Sequence, residues 1–469
     1  MYSSIKKNFL YNAFYNVLTL ILPLITTPYI SRVMGAEKIG IYSYAYSIVS
    51  YFGLFILLGL NNYGNRTIAG VRDNKEQLSK TFWSIYAMQV MMALLVIGIY
   101  IIYVFFIAEN KLMAWIQIIY LISVAFDINW FFYGMEQFKM TVTRNSIIKI
   151  INLLLILLLV KNKEDIYLYG IIMAGGMLVS QLVLWFFLKR FIILIKIELN
   201  DVLIHVKPNL ILFVPVLAIS LYTTMSKIIL GALSTMEAVG FYENSNKLTS
   251  IPSMAITSLG TVMLPRMSNL VANGQHTEAM QYIQKSLIVS VFLSCSMAFG
   301  ISAISYEFVP IFYGEGYDEC VNIISVLVLS SIFISWANVI RTQYLIPNKM
   351  DKIYIVSVFL GAGVNIITNL ILIPRLSALG AAIATLFAEF SVCAYQTYRV
   401  RNEIKVFRYF MQCLPIIISG VIMYIAVSML PLISNILITL IIKVLTGGVI
   451  YLILVIIYYK TVLNKIIKL

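Results

Sequence analysis

Long apolar runs separated by short polar segments recur along the whole chain. A helix that crosses a membrane needs about 20 mostly apolar residues, and the pattern predicts fourteen such helices. The short alternating segments that are typical of a membrane β-barrel do not describe these runs. We therefore expect an all-α membrane protein with fourteen transmembrane helices, in the approximate ranges 8–30, 41–63, 82–107, 112–135, 145–160, 166–188, 209–232, 242–264, 284–306, 321–343, 353–374, 378–398, 409–431 and 436–459.

The positions of Lys and Arg residues predict an orientation. If the N-terminus is inside, the predicted inner segments hold about four times as many basic residues as the outer ones, which is the bias that cytoplasmic loops show. Both termini are therefore expected to be cytoplasmic. The first run, 8–30, is too long for the apolar core of a cleaved signal peptide, so we expect it to be retained as the first span.

Composition narrows the classes of protein that remain. Of the 469 residues, 61% are hydrophobic and 12% are charged, whereas soluble domains are about 45–50% apolar and about 25% charged. This excludes a soluble enzyme and a nucleic-acid-binding domain, so the net charge of +14 is interpreted as loop charge. The four scattered cysteines are expected to be small apolar residues. His205 and His276 lie far apart, and we expect no metal and no cofactor.

Three pairs of short sequence elements recur in the same order, about 200 to 210 residues apart. Small residues are common where membrane helices pack, so a single pair carries little weight. Three in order predict two homologous halves. The matching elements are Gly40-Ile41-Tyr42 with Gly240-Phe241-Tyr242, Gly170 and Ala174 with Gly380 and Ala384, and Lys139-Met140 with Lys349-Met350.

The repeat predicts how the helices are grouped. Each half has six helices and therefore enters the membrane in the same direction, so the halves are expected to be related by a pseudo-twofold axis along the membrane normal, with a central cavity between them. Two such halves are typical of a transporter that opens alternately to each side. We expect an N-terminal lobe (1–190), a cytoplasmic linker (191–208), a C-terminal lobe (209–400) and two appended helices (401–469). The linker is either a helix on the inner leaflet or a plain tether.

Polar side chains inside the spans are candidates for lining the cavity, because such residues are costly in lipid. Three pairs share a helix face at a spacing of three or four residues. An equally simple interpretation is hydrogen bonding between helices. The pairs are Asn12 with Asn16, Asn338 with Arg341, and Asn365 with Asn369.

Three cations gather toward the predicted outer side. Arg32 ends span 1, Lys227 is near the end of span 7 and Lys247 is near the start of span 8. They are candidates for holding an anionic headgroup, since Lys and Arg both bind phosphate. The alternative is that the lysines extend to the lipid headgroups, which the apolar remainder of each span can support. Lys443 in span 14 is likewise expected to extend to the headgroups or to meet a lipid phosphate.

Two acidic residues in the spans, Glu389 and Asp127, are candidates for a coupling-ion site. A carboxylate at such depth is protonated, paired with a cation, or used to bind a proton or a monovalent cation. The chain has neither a Walker A sequence nor an HExxH helix. An ion gradient, or downhill movement of the substrate, is therefore the expected energy source rather than ATP.

Several motifs together resemble the bacterial polysaccharide flippases (Wzx-type; O-antigen, capsule and teichoic-acid exporters). These belong to the multidrug/oligosaccharidyl-lipid/polysaccharide exporter superfamily, which also contains the MATE and lipid II exporters. The resemblance extends over nearly the whole chain. It rests on Pro28–Gly35 followed by Gly40-Ile41-Tyr42, on Asn129–Phe138, on Ile228–Gly231 followed by Gly240-Phe241-Tyr242, on Leu264-Pro265-Arg266, and on Leu379–Ala384.

The resemblance implies a flippase of the bacterial inner membrane. It would move an undecaprenyl-pyrophosphate-linked oligosaccharide from the inner to the outer leaflet, and the family's cationic cavity agrees with the interpretation of Arg32, Lys227 and Lys247. Relatives often have an Asp immediately before the basic residue of span 7, where this chain has Ser226. Lys227 is therefore expected to have lost a partner.

Other functions remain open from the sequence. A MATE-like ion-coupled exporter of small molecules shares the fold but would favour acidic residues in its cavity. A membrane enzyme of glycan assembly would be expected to have a larger outer loop or a His/Asp/Arg cluster. We expect a monomer whose partners are the lipid-linked oligosaccharide, membrane lipids and, where transport is coupled, a proton or a monovalent cation. A glycan polymerase or glycosyltransferases are expected nearby, and nucleic acid is not.

Overall fold

The computed structural model describes residues 5–431 and 433–463, except for the side chains of residues 5–17, 20, 222, 255, 261, 462 and 463. Helices and the segments that connect them make up this described part, and it contains no strand. Twelve of its helices are long and apolar enough to cross a membrane. The prediction of an all-helical, multi-pass membrane protein is therefore confirmed.

The chain divides into two compact units, which we call unit 1 (Met1–Thr224) and unit 2 (Met225–Leu469). Unit 1 contains α1 (Ile5–Leu57), α2 (Leu60–Val71), α3 (Lys75–Phe106), α4 (Lys111–Ala125), α5 (Asn129–Gly134), α6 (Phe138–Leu159), α7 (Ile166–Leu188), α8 (Leu199–Leu203) and the first part of α9 (Val206–Leu233). Unit 2 contains the rest of α9, α10 (Met236–Ala272), α11 (His276–Tyr313), α12 (Glu319–Ile340), α13 (Asp351–Val400), α14 (Val406–Ser428) and α15 (Ile436–Tyr458).

The division between the units falls inside α9 and not in the segment 191–208. The first part of α9 is held to unit 1 by a hydrogen bond from the Tyr51 hydroxyl to the carbonyl oxygen of Ser220 (2.6 Å). It also passes very close to Gly59, where an added Cβ would lie 2.6 Å from the carbonyl oxygen of Asn209. A side chain at residue 59 would prevent this approach.

Two of the long helices contain a sharp break. In α1 the break is at Gly35 (φ 76°, ψ 167°), and in α13 it is at Ser377 (φ 50°, ψ −128°). Glycine adopts a positive φ readily, whereas the serine is strained. The Ser377 hydroxyl lies 2.7 Å from that of Ser234. Both breaks fall between spans that were predicted separately, so α1 and α13 each consist of two helical segments.

The fourth predicted span, 112–135, is interrupted in the structure. Helix α4 ends at Ala125 and α5 begins at Asn129. The Gln89 side chain covers the gap by donating to the carbonyl oxygens of Val124 (2.9 Å) and Asp127 (2.9 Å). Backbone groups within a membrane need such partners, so a buried glutamine on α3 makes the interruption tolerable.

The linker segment is attached to α3 and contains little helix. Within 191–208 only the five residues of α8 and the first three residues of α9, 206–208, are helical. The Ile193 amide donates to the Ser79 hydroxyl (3.0 Å), and Lys80 forms an ion pair with Asp201 (2.9 Å). The segment is therefore not one continuous helix, and these contacts hold it against α3.

The last helix is tied to unit 2 by polar contacts. Lys443 of α15 forms an ion pair with Glu307 of α11 (2.6 Å), and both side chains are buried. The Tyr451 hydroxyl donates to the carbonyl oxygen of Phe292 (2.8 Å). The expectation that Lys443 extends to the lipid headgroups is wrong, because a carboxylate on the neighbouring helix provides a partner inside the protein.

Candidate functional site

Two of the predicted cations share one carboxylate in unit 2. Glu243 accepts a hydrogen bond from Lys227 through Oε2 (3.0 Å) and lies 3.2 Å from Lys247 Nζ through Oε1. Lys227 lies on α9, while Glu243 and Lys247 lie one helical turn apart on α10. We call these three residues the lysine–glutamate cluster. They carry a net positive charge, because two ammonium groups face one carboxylate.

The chain brings the cluster together through the short connection between α9 and α10. Helix α9 ends at Leu233 and α10 begins at Met236, and the Thr235 hydroxyl caps the new helix by accepting from the Ala238 amide (3.2 Å). Two consecutive helices joined so closely run antiparallel, which places the end of one beside the start of the other. Lys227, near the end of α9, therefore meets Glu243, near the start of α10.

Glu243 was missed by the sequence analysis. It directly follows the repeated Gly240-Phe241-Tyr242 element and precedes Lys247 by four residues, a spacing at which opposite charges on a helix interact. That spacing was the available signal. The expectation that Lys227 has lost its partner is wrong, because Glu243 takes the role that an acid at residue 226 would have.

Ser226 instead belongs to a neutral cluster with two of the predicted asparagines. The Ser226 hydroxyl lies 3.1 Å from Asn365 Oδ1 and 3.0 Å from Asn369 Nδ2, and the two asparagine amides are 2.9 Å apart. All three side chains are buried. In this structure the pair forms hydrogen bonds between α9 and α13, one of the two interpretations that the sequence left open.

The remaining polar candidates of unit 2 also lie within helices. The Arg341 guanidinium donates to Asn338 Oδ1 (2.7 Å), so this pair does share a face. Arg341 also lies over the Tyr354 ring, 5.4 Å from its centroid. Glu389 is buried in α13, with 6% of its surface exposed.

In unit 1, Asp127 lies just before α5 and binds the first residue of that helix. Its Oδ1 accepts from the Asn129 amide nitrogen (2.8 Å) and from Asn129 Nδ2 (2.7 Å). Asn129 Oδ1 in turn accepts from Arg144 (2.9 Å), which also donates to the carbonyl oxygen of Ser180 (2.8 Å). Arg144 lies just before the predicted span 145–160, yet it is buried in α6.

The other predicted residues of unit 1 lie in α1. Arg32 is three residues before the break at Gly35, and its side chain is exposed. Asn12 and Asn16 lie among the residues whose side chains the structure does not describe. Thus the structure brings Lys227 and Lys247 together within unit 2, while Arg32 belongs to unit 1.

Two apolar grooves follow α11 and α15 in unit 2, with volumes of about 560 and 300 Å³. Phe292 and Leu452 line both, Lys285 borders the larger and Lys443 the smaller. Because apolar side chains line most of each groove, the grooves are better suited to bind a hydrocarbon chain than an anionic group. The lysine–glutamate cluster lines neither of them, so it remains the candidate site for a charged ligand.

The fold has known counterparts. A solved structure described as the lipid II flippase MurJ in an inward closed conformation matches with a TM-score of 0.79 over 97% of this chain and all of that chain, at 16% identity. An inward-facing MATE family multidrug resistance transporter matches with a TM-score of 0.63 over 85% of this chain and 96% of that chain, at 11% identity. At such low identities, the likeness is one of fold.

Curated sequences give closer relatives. A protein of Escherichia coli (strain K12) whose name describes an O-antigen transporter is 25% identical over 85% of this chain and 97% of its own length. The capsular polysaccharide biosynthesis protein CapF of Staphylococcus aureus is 22% identical over 82% of this chain and 96% of its own length. The family model described as polysaccharide biosynthesis protein matches residues 5–271, which is more than half of the chain, and the chain therefore belongs to that family.

Proposed function

We propose that the chain is a flippase that moves an undecaprenyl-pyrophosphate-linked oligosaccharide repeat unit from the inner to the outer leaflet for export of a cell-surface polysaccharide. The observation that carries this proposal is the lysine–glutamate cluster, a net positive group within membrane-spanning helices. Charge in such a place is costly and usually functional. A pyrophosphate provides the opposite charge, and the names of the relatives describe transport of O-antigen and synthesis of capsule.

The proposed topology has fourteen membrane crossings. The apolar stretches Ile21–Val71 and Asp351–Val400 have 51 and 50 residues. At 1.5 Å per residue each would be about 75 Å long if straight, more than twice the hydrocarbon thickness of about 30 Å. Each is therefore proposed to cross twice, which raises the twelve helices to fourteen. Both termini are then cytoplasmic, and the membrane is the bacterial inner membrane.

The proposed mechanism is alternating access by a monomer. Lobes 1–190 and 209–400, joined by the cytoplasmic linker 191–208, would rock about a central cavity, with residues 401–469 as an appended pair of helices. Lys227 and Lys247, with Arg32 of the other lobe, would make the cavity positive for the pyrophosphate. Asn12, Asn16, Asn338, Arg341, Asn365 and Asn369 would line it for the sugar.

The energy source is proposed to be an ion gradient acting on an acidic residue of the spans. Glu389 is the first candidate, because it is buried within α13. Asp127 is the second, because its Oδ1 already accepts two hydrogen bonds from Asn129. A proton or a monovalent cation would be the coupling ion.

A MATE-like exporter of cationic compounds is the second candidate function, since that fold also matches. The lysine–glutamate cluster disfavours it, because a net positive group repels a cationic cargo. Resistance to cationic dyes on overexpression would support this alternative. A membrane enzyme is disfavoured because the relatives whose names give an activity are transporters. New bond formation in a flipping assay would support an enzyme.

The proposed function is tested by deleting the protein and locating the lipid-linked glycan. We expect the glycan to accumulate in the inner leaflet. Lys227→Glu and Lys247→Glu should each abolish export while membrane insertion stays normal, because a negative site repels a pyrophosphate. Lys163→Glu, at an exposed residue outside the cluster, is the matched control. Normal surface glycan with either charge reversal in the cluster would refute the proposed site.

A further inference from the structure

The two lysines of the cluster differ in how they are held. Lys227 reaches Glu243 from a neighbouring helix, and both side chains are only 14% exposed. Lys247 reaches the same carboxylate along its own helix, at 3.2 Å rather than 3.0 Å, and its side chain is 38% exposed. One ion pair is thus buried between two helices, while the other is local and more open.

This difference determines which of the two ion pairs an incoming anion can replace. Separating Lys227 from Glu243 would strand an ammonium and a carboxylate that are both largely buried, and breaking a buried pair costs far more than the pair contributes. Separating Lys247 from Glu243 costs little, because ion pairs with exposed partners are weak. An incoming anion therefore competes successfully for Lys247 and poorly for Lys227.

We propose that Lys247 is the exchangeable contact for the phosphate of the substrate, that Glu243 is its internal competitor, and that Lys227 is a positioning residue that retains Glu243. This inference rests on the proposed function and specifies how its site works. Carboxylate and phosphate oxygens are both anionic acceptors for a lysine ammonium. When the phosphate arrives, Lys247 turns from Glu243 to the phosphate, while Lys227 keeps the carboxylate neutralised.

In this division of roles, Lys227 acts on phosphate binding indirectly, through Glu243. Removing Lys227 should weaken phosphate binding although Lys227 does not touch the phosphate, because Glu243 is then left with Lys247 as its cation in the cluster. Removing Glu243 as well should restore binding, because Lys247 is then released from its competitor. If Lys227 itself held the phosphate, the second change would restore nothing.

The test measures binding of a fluorescent farnesyl pyrophosphate probe to the full chain in lipid nanodiscs, with fluorescent farnesol as the probe that lacks phosphate. We expect Lys247→Gln and Lys227→Gln each to raise Kd about tenfold. Lys227→Gln/Glu243→Gln should return Kd to within about threefold of wild type. Lys247→Gln/Glu243→Gln is the matched control and should still bind the pyrophosphate probe weakly.

Two results would overturn the inference. One is a Lys227→Gln/Glu243→Gln variant that binds about tenfold more weakly than wild type. The other is equal binding of the farnesol and pyrophosphate probes by wild type. If Lys227→Gln fails to fold, the double variant, which buries no unpaired charge, decides the question by comparison with wild type alone.

Flipping of a lipid-linked oligosaccharide by the wild-type protein in proteoliposomes separates this inference from the proposed function. A wild type that flips the oligosaccharide, together with a double variant that binds the probe weakly, would overturn the division of roles and leave the flippase intact. If wild type and the variants bind the probe in the expected order but wild type flips no oligosaccharide, the proposed function would be overturned and the division of roles would stand.

Discussion

Lys443 and Glu307 form an ion pair at 2.6 Å, with 6% of the lysine side chain and none of the glutamate side chain exposed. It connects α15, one of the two helices outside the predicted repeat, to α11 of unit 2. The second oxygen of Glu307 has no hydrogen-bond partner among the described residues. The lysine is therefore the main compensation for a buried carboxylate.

Loss of Lys443 should destabilise the protein severely. Lys443→Met leaves the Glu307 carboxylate buried without its cation, which costs about 3–5 kcal/mol in folded proteins. The double variant Glu307→Leu/Lys443→Met should recover most of this loss, because two apolar side chains need no compensation. The measurement is the free energy of unfolding in detergent micelles. A single variant as stable as wild type would show that the pair does not hold α15.

A second prediction concerns the contact between α2 and α5. A Cβ added to Gly64 would lie 2.6 Å from the ring of Trp130, which is fully buried. Gly64→Ala should therefore cost about 1–3 kcal/mol through overpacking. Gly98→Ala is the matched control, because a Cβ there meets nothing within 4 Å, and it should be neutral or stabilising by up to about 1 kcal/mol. Thermal unfolding of both variants checks the contrast, and equal Tm values would contradict it.

Local patterns were enough to predict most of the helices. The apolar run 166–188 coincides with α7, and the run 436–459 coincides with α15 to within one residue. The hydropathy pattern is local, so it detects a span wherever apolar residues are continuous. It gave no sign of the break between α4 and α5, because that break is stabilised by Gln89, a residue about 35 positions earlier in the chain.

The candidate site was predictable only in part, for the same reason. Lys227 and Lys247 stand out because each is a charge in an apolar run. The spacing of Glu243 and Lys247 was a sequence signal for one ion pair, but the contact of Glu243 with Lys227 becomes evident only when α9 and α10 pack together. We expected Lys443 at the lipid headgroups because its partner Glu307, 136 residues away in the chain, is not evident from the sequence. Contacts between distant charges are set by packing, which a single sequence does not display.

A third prediction concerns the attachment of the linker to unit 1. The Tyr63 hydroxyl lies 2.6 Å from Nδ1 of His205, and both residues are buried. Tyr63→Phe leaves the buried imidazole without this partner and should cost about 1–3 kcal/mol. Lys80→Ala removes the more exposed ion pair with Asp201 and should cost less than Tyr63→Phe, because ion pairs with exposed partners are weak. Hydrogen exchange of the amides in 191–205 should rise more in Tyr63→Phe, and the opposite order would contradict the assignment.

The last prediction separates arginine from lysine at residue 144. The Arg144 guanidinium donates to Asn129 Oδ1 (2.9 Å), Asn145 Oδ1 (2.7 Å) and the carbonyl oxygen of Ser180 (2.8 Å), so it connects the start of α5 with α6 and α7. A lysine keeps the charge, but its ammonium is a single point on a flexible stem and does not reproduce the planar fork.

Arg144→Lys should therefore lower the free energy of unfolding by about 2 kcal/mol or more, since each buried group left unpaired costs about 1–3 kcal/mol. Arg190→Lys, at an exposed arginine whose guanidinium lies over the Phe187 ring, is the matched control and should change it by less than about 1 kcal/mol. If both lysine variants unfold like wild type, charge alone would suffice at residue 144, and the hydrogen-bonded fork would contribute nothing. Because α5 is the short second part of the interrupted fourth span, loss of the fork should also increase hydrogen exchange in Asn129–Gly134 before the rest of unit 1 unfolds.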